Sequence, residues 1–215
     1  MTWFLDHLDD VMSRTEQHVY LAGLPLVLGL LIALPLGWLA RRYRPLYAPL
    51  TAGFGLLYTI PSLALFVLLP SIIHRQILDP VNVLVAMTLY TVALLVRTVA
   101  DGLGAVPEHV QQAASAMGYG RVKRFFAVEL PLAVPVISAG MRVAAVSNVS
   151  IVSVAAIIGI PQLGLFFTDG FDRSFYDPIV VGILACVILA LLFDVVIIVL
   201  TRLLTPWLRV TGARA

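Results

Sequence analysis

The chain has 215 residues, of which 60% are hydrophobic and only 12% charged; 14 Lys and Arg against 12 Asp and Glu leave a net charge of +2. That composition excludes a soluble globular domain and gives no support to a nucleic-acid partner, since the charges sit in short islands between long apolar runs. The single cysteine, Cys186, excludes an internal disulfide.

The first 18 residues are acidic and lack the pattern of a secretory signal peptide. Trp3, Phe4, Leu8, Val11 and Met12 recur at rough helical spacing, so 1–18 reads as a short external helix lying at the membrane interface. The uncharged runs that follow are 19–40, 46–73, 81–96, 132–141 with 143–168, and 178–193. A spanning helix needs about 20 apolar residues. The first two runs meet this directly. The third does so with residues 97–100, the fourth carries Arg142 inside it, and the fifth carries Asp194 and continues to about Leu204. The expectation is an all-α polytopic membrane protein with five transmembrane helices in one domain, 19–204, followed by a tail, 205–215.

Pro25 and Pro35 in the first span read as plain kinks. In the second, Pro61 within Tyr58-Thr59-Ile60-Pro61-Ser62 frees backbone carbonyls. This is either a kinked, packed helix or a kink that lines a solute path, with Tyr58, Pro61 and Ser62 as path candidates. Residues 111–131 interrupt the apolar pattern with a polar, basic segment. Pro107 and Glu108 suit a helix start, Val110, Ala113, Ala114 and Met117 fall on one face, and Gly118 and Gly120 stop the helix. A second short helix then ends at Pro131, giving two helices hinged at a glycine pair.

The fourth span places Arg142 about ten residues from one end, and the fifth places Asp194 at similar depth, roughly 12–15 Å in at ~1.5 Å per residue. Charges at that depth pair or face water. Arg142 and Asp194 are expected to form an interhelical ion pair, with Arg97 as a second candidate partner; a fixed packing bridge and a proton relay are both open. Ser147, Asn148, Ser150 and Ser153 form a polar patch in the fourth span that either ties helices together or lines a path for a polar solute. Beyond Ile158, Gly-Ile-Pro-Gln-Leu-Gly and the Asp-rich stretch after it read as an irregular outer loop whose first part dips back into the membrane. Phe166, Phe167, Phe171, Phe175 and Tyr176 there fit an interfacial aromatic belt or a site for quaternary ammonium groups.

Lys and Arg set the orientation. Ten (Arg41, Arg42, Arg44, Arg97, Arg121, Lys123, Arg124, Arg202, Arg209, Arg214) fall on one side, and three (Arg14, Arg75, Arg173) on the other. The N-terminus is therefore expected outside and the 111–131 segment and C-terminus inside. No phosphate-binding glycine loop is present, and His7, His18, His74 and His109 lack metal-ligand spacing. With Asp194 almost alone as an intramembrane carboxylate, and no internal repeat, a self-sufficient proton-coupled carrier fits poorly.

The polar segment resembles the coupling loop of bacterial ABC-importer permeases, whose pattern is Glu-Ala-Ala, three residues, Gly, nine residues, an aliphatic residue, one residue, Leu-Pro. Here it reads Gln112, Ala113, Ala114, Gly118, Val128, Leu130 and Pro131, with every spacing kept and Gln112 in place of the acid. Within that superfamily, Leu-Pro-Leu-Gly at 34–37, Ile-Pro-Ser-Leu-Ala-Leu at 60–65, and the stretch 128–137 followed by Ala-Gly-Met-Arg at 139–142 resemble permeases for osmoprotectants such as glycine betaine, choline, carnitine and proline. Methionine permeases share the five-span core. Two departures are the Gly-Ile-Pro-Gln-Leu-Gly segment and the missing proline before Arg97.

The resemblance implies a type I importer permease of the bacterial cytoplasmic (inner) membrane. It pairs with an identical or similar second permease and carries a cytoplasmic coupling hairpin at about 101–131. That hairpin docks on a separate ABC ATPase dimer, where ATP and magnesium reside; this chain holds no cofactor or catalytic residue. A separate extracytoplasmic binding protein delivers the solute. Two other readings stay open: a methionine or other amino-acid importer permease, and a membrane scaffold or channel whose hairpin binds a non-ATPase partner.

Overall fold

The computed structural model describes residues 2–207; Met1 and residues 208–215, with Arg209, Arg214 and most of the expected tail, lie outside it. The elements are α1 (Thr2–Asp6), α2 (Leu8–Arg42), α3 (Arg44–Tyr58), α4 (Ser62–Ile73), α5 (Pro80–Gly104), α6 (Glu108–Ala116), α7 (Arg121–Arg124), a π-helical turn (Phe125–Glu129), α8 (Leu130–Ser153), a 3-10 turn (Val154–Ile158), α9 (Leu165–Asp172) and α10 (Tyr176–Leu204). Among the described residues the fold is all-α.

Four helices are long and apolar enough to cross a membrane: α2, α5, the unbroken stretch Arg121–Ile158, and α10. The fifth crossing is the pair α3–α4, which the sequence predicts as one helix over 46–73. The two halves meet at 100°. At 15 and 12 residues they are about 22 and 18 Å long, so neither alone crosses the ~30 Å hydrocarbon core. Pro61 is the cause. It has no N–H to donate, and it forces Ile60 out of helical geometry. The chain closes α3 with tight bonds from Thr59 N–H to the Leu56 carbonyl (3.0 Å) and Ile60 N–H to the Leu57 carbonyl (3.2 Å), then restarts from Pro61. A kinked helix understates this: the span is broken.

The N-terminal segment also departs from a separate interfacial helix. Trp3 and Phe4 lie on α1, but Leu8, Val11 and Met12 belong to α2, which runs without interruption past residue 18. His7 forms the joint, stacked on Trp3 at 4.4 Å between ring centroids with Nδ1 2.8 Å from the Trp3 carbonyl. Pro25 and Pro35 both sit inside continuous α2.

α5 is the centre of the bundle, packed against α2, α3, α4 and α8, while α10 covers α8 from outside with most of its apolar surface exposed. Two clusters line up along α5. Leu21, Phe66, Met87, Leu163 and Phe166 fill one end, and Leu26, Leu95, Val99, Leu103 and Ile137 the other. α2 and α5 approach closely because Gly29 faces Thr91 and Gly37 faces Val99, where a Cβ at Gly37 would lie 2.6 Å from Val99 Cβ. Gly37→Val should therefore push the two helices apart. An overpacking cost of about 1–3 kcal/mol is expected to lower the denaturation temperature of the detergent-solubilised chain, whereas Gly53→Val, at a position with nothing within 4 Å, should not.

Candidate coupling segment and translocation residues

The segment 107–131 is built around a Schellman turn. α6 ends at Ala116, and Gly118 adopts φ +82°. The Gly118 N–H donates to the Ser115 carbonyl (3.0 Å) and the Tyr119 N–H to the Ala114 carbonyl (3.1 Å), which satisfies two of the last orphan carbonyls. Only Gly118 needs glycine for its backbone; Gly120 is extended, at φ −64° and ψ 163°, so the hinge is one glycine rather than a pair. A Cβ at Gly118 would meet nothing within 4 Å. Within this subunit the position is constrained by its dihedral and not by its neighbours.

α6 splits the predicted face in two. Val110 and Ala114 turn inward, with Ala114 1% exposed, whereas Gln112, Ala113 and Met117 are exposed. A small residue is thus presented outward beside the Gly118 turn, and another lets α6 lie close on the bundle. Pro131 does not end a second short helix. It stands in the first turn of α8, and the helix runs through it from Arg121. The preceding π turn accommodates it: Leu130 N–H donates to the Phe125 carbonyl five residues back, and the missing Pro131 N–H falls where the ladder has already slipped. Val128 lies in that turn and Leu130 follows it, both half-buried. The hairpin is fastened by Arg124, which donates from Nε to Glu129 Oε1 (2.6 Å) and from Nη1 to Ser115 Oγ (2.8 Å). No sequence motif singles out Arg124.

Arg142 and Asp194 meet side by side. Nε lies 2.5 Å from Oδ1 and Nη2 3.0 Å from Oδ2, a bidentate pair between α8 and α10. Arg97 instead lies 3.6 Å from Asp101 on its own helix, and Asp101 also accepts from Tyr47.

The path candidates separate. Tyr58 sits edge-on to Tyr90, centroids 5.5 Å apart, at the break where Pro61 and half-buried Ser62 begin α4. Ser147 is half-buried and Ser150 exposed. Asn148 does not face a path in this subunit. It is 2% exposed, and its Nδ2 donates to the Ala22 carbonyl (3.1 Å) and Thr91 Oγ1 (3.0 Å), tying α8 to α2 and α5.

A second buried polar group was not legible as a unit. Gln162, in the Gly-Ile-Pro-Gln-Leu-Gly segment, accepts from the Gly164 N–H (2.5 Å) and donates to the Ser153 carbonyl (3.2 Å). His18 Nδ1 lies 3.1 Å from Gln162 Oε1, and Nε2 lies 3.0 Å from the Val149 carbonyl. His18 and Gln162 are wholly buried, so the segment is pinned inside the bundle. The aromatics after it divide too. The face of Phe166 is occupied from within by Arg14, 4.4 Å from the ring centroid, and Trp3 packs on it edge-on, so it is not open to a solute cation. Phe167 and exposed Phe171, with Ser153, Thr168 and Asp172, line an open cavity of about 670 Å³ at the opposite end from the coupling segment.

The chain is a bundle of four helices long and apolar enough to cross a membrane and one broken pair, with a helix-and-turn segment presented at one end. Residues 26–210 match the family model described as the binding-protein-dependent transport system inner membrane component, and the chain belongs to this family. It is a permease subunit, not an enzyme, and the family works with ATPase and binding-protein partners. Over 207 residues it is 34% identical to the osmoprotectant import permease protein OsmW of Salmonella typhimurium, covering 95% of this chain and 96% of that protein. It is 27% identical over 197 residues to the choline transport system permease protein OpuBB of Bacillus subtilis, covering 92% and 89%. Among solved structures, an inward-facing MetNI methionine ABC transporter chain superposes with a TM-score of 0.79 at 21% identity, over 93% of this chain and 98% of that one, a likeness of fold.

Two outcomes follow from this geometry. Reversing the charge of either Arg142 or Asp194 is expected to lower the yield of folded chain in the membrane, and the double reversal to restore part of it; absence of rescue would show that the pair does not stabilise the fold. Gln162→Leu strands the buried Gly164 N–H and removes the side-chain partner of His18 Nδ1. A loss of about 1–3 kcal/mol for a buried unpaired group should appear as a lower denaturation temperature in detergent.

Proposed function

We propose that this chain forms the translocation path of an ATP-driven importer for osmoprotectants, with quaternary ammonium compounds such as glycine betaine, choline and carnitine, or proline, as solutes. The observation that carries the reading is the segment from Gln112 to Pro131: every spacing of the coupling pattern is kept, and the fold places exposed Gln112 and Ala113 beside the left-handed turn at Gly118. The solute class rests on the similarity, over nearly the full length of this chain, to an osmoprotectant import permease and a choline transport permease.

In this reading two permeases, identical or similar, enclose the path. Gln112 and Ala113 with Gly118 dock on an ABC ATPase dimer that binds ATP and magnesium, and buried Ala114 seats α6 on the bundle behind them. Val128, Leu130 and Pro131 carry the hairpin into α8. Closure of the ATPases moves the two hairpins together and turns the path outward. A binding protein delivers solute at the end holding Phe167, Phe171 and Asp172. The N-terminus lies outside and the C-terminus inside the bacterial inner membrane, in keeping with ten basic residues against three. Tyr58, Pro61, Ser62, Ser147 and Ser150 remain candidates for the path wall.

Salt-stressed uptake of labelled glycine betaine, choline, carnitine, proline and methionine, in cells with and without the gene, tests the solute. Loss of one of the first four is expected. Loss of methionine alone would move the chain to an amino-acid importer with its coupling segment unchanged. Gly118→Leu forces a branched side chain into a left-handed backbone at a cost of about 1–2 kcal/mol and places bulk on the docking face. It is expected to abolish uptake while the chain still reaches the membrane; wild-type uptake by this variant would rule out the coupling role.

A further inference from the structure

The end of the bundle that carries the coupling segment holds two adjoining cavities. The first, about 520 Å³, is walled by Arg41, Arg42 and Arg44 at the α2–α3 junction and by Arg121 and Arg124 beyond Gly120. Its one carboxylate is Glu129, and Arg124 already donates to it at 2.6 Å. Among the described residues, Arg41, Arg42, Arg44 and Arg121 form no ion pair. Basic residues at helix ends ordinarily do no more than fix orientation. Here they converge from separate parts of the chain on one concavity without an ion pair, although Arg41 and Arg44 also line a neighbouring cavity that holds Asp101.

The second cavity, about 480 Å³, is an apolar groove formed by Leu34, Pro35, Val122, Phe125, Phe126 and Leu130. Trp38, Arg42 and Arg121 border both cavities, so the groove opens directly off the cationic chamber. Val122 and Phe126 are 72% and 63% exposed where the chain begins its fourth crossing. The groove therefore wants an apolar occupant, and the chamber wants an anion.

We propose that the two cavities together bind one anionic phospholipid, its phosphodiester among the guanidiniums of Arg41, Arg42, Arg44 and Arg121 and an acyl chain along Phe125, Phe126 and Leu34. Guanidinium forks match phosphate oxygens, and basic pockets between membrane helices suit anionic headgroups. A free phosphate ion leaves the groove unfilled. A zwitterionic lipid brings its own cation into the chamber and leaves the arginines uncompensated. The bound lipid bridges α2 and the helix leading from Gly120 into the membrane, two elements otherwise joined here by the edge-on contact of Trp38 with Phe125, centroids 6.3 Å apart.

The site can be read without transport activity, so its failure leaves the transport reading untouched. With Trp3→Phe and Trp207→Phe, Trp38 is the only tryptophan of the full chain. This protein is reconstituted in vesicles of phosphatidylcholine and phosphatidylglycerol at one fixed ratio, with brominated chains on one lipid at a time. Brominated phosphatidylglycerol should quench Trp38 beyond its mole fraction. Arg42→Gln and Arg121→Gln should lower that preference by about fivefold for each guanidinium removed, and Lys123→Gln, outside both cavities, should leave it unchanged. Quenching in proportion to mole fraction in the protein with all its arginines would overturn the proposal, whether or not the Gln variants insert. Relief of quenching by added inorganic phosphate would assign the chamber to a free anion, and relief by the ATPase subunit would assign the arginines to that partner; either result also overturns it.

Discussion

A backbone carbonyl or N–H in hydrocarbon has no water to turn to, and this fold braces its irregular backbone with buried polar side chains. At the broken second span, the Ile60 carbonyl accepts from the Tyr90 hydroxyl at 2.6 Å. Where α8 tightens into a 3-10 turn and ends at Gly159, the Ser153 carbonyl accepts from Gln162, which also takes the Gly164 N–H. Before α5, Asn82 Nδ2 donates to the Gln76 carbonyl at 2.7 Å. Each buried polar side chain among these serves irregular backbone. Asn148 and His18 do the related work of tying neighbouring crossings through carbonyls of α2 and α8. The bundle therefore accommodates the break at Pro61 and the irregular segment after Gly159 with side-chain partners for their backbone.

The distribution of burial follows from the same solvent. α5 is enclosed because four elements pack on it, and glycines at Gly29 and Gly37 let α2 come close. α10 needs no such enclosure: apolar Ile183, Leu184, Ile188, Leu191 and Val195 are at home against lipid tails or another subunit. Its one internal charge, Asp194, is held in a two-point contact by Arg142. The pair thus gives the least enclosed crossing a fixed register against α8.

What was legible in the sequence is what short-range spacing controls. Four crossings, the short helix α6 and its left-handed stop at Gly118 all depend on residues within one or two dozen positions. Arg142 and Asp194 are legible as equally deep charges on sequential spans, and they are in contact in the structure. What escaped depends on the third dimension. His18 and Gln162 are 144 residues apart; the only signal was that Gln162 is a polar residue in an apolar run, and His18 closes the polar stretch before the first one. Pro61 announced a disturbance, but its 100° size is set by how α4 packs against α5 and the 3-10 turn. Pro131 looked like a stop because a proline interrupts an α ladder; in a π turn the ladder has already shifted by one residue, so the helix continues. Ala113 and Ala114 are equivalent in any motif, and only the docking of α6 sends one outward and the other in.

The unbroken helix from Arg121 to Ile158 gives the proposed coupling its mechanical basis. At 38 residues it is about 57 Å long, so it joins the Gly118 turn at one end of the bundle to the pinned Gln162 segment at the other through a single rod. A helical rod passes on a tilt, and its displacement is largest at the ends. Along this one the backbone ladder changes pitch at Phe125–Glu129 and again at Val154–Ile158. The first change lies where the hairpin leaves the bundle, and Arg124 bridges it to Glu129. The second lies where His18 and Gln162 hold the far end to α2 and to the segment before α9. Movement delivered at α6 therefore meets a stiff member with two compliant turns, each braced by one polar side-chain cluster. In the proposed mechanism, a displacement at α6 reaches the opposite cavity along this member, and the apolar core along α5 need not repack.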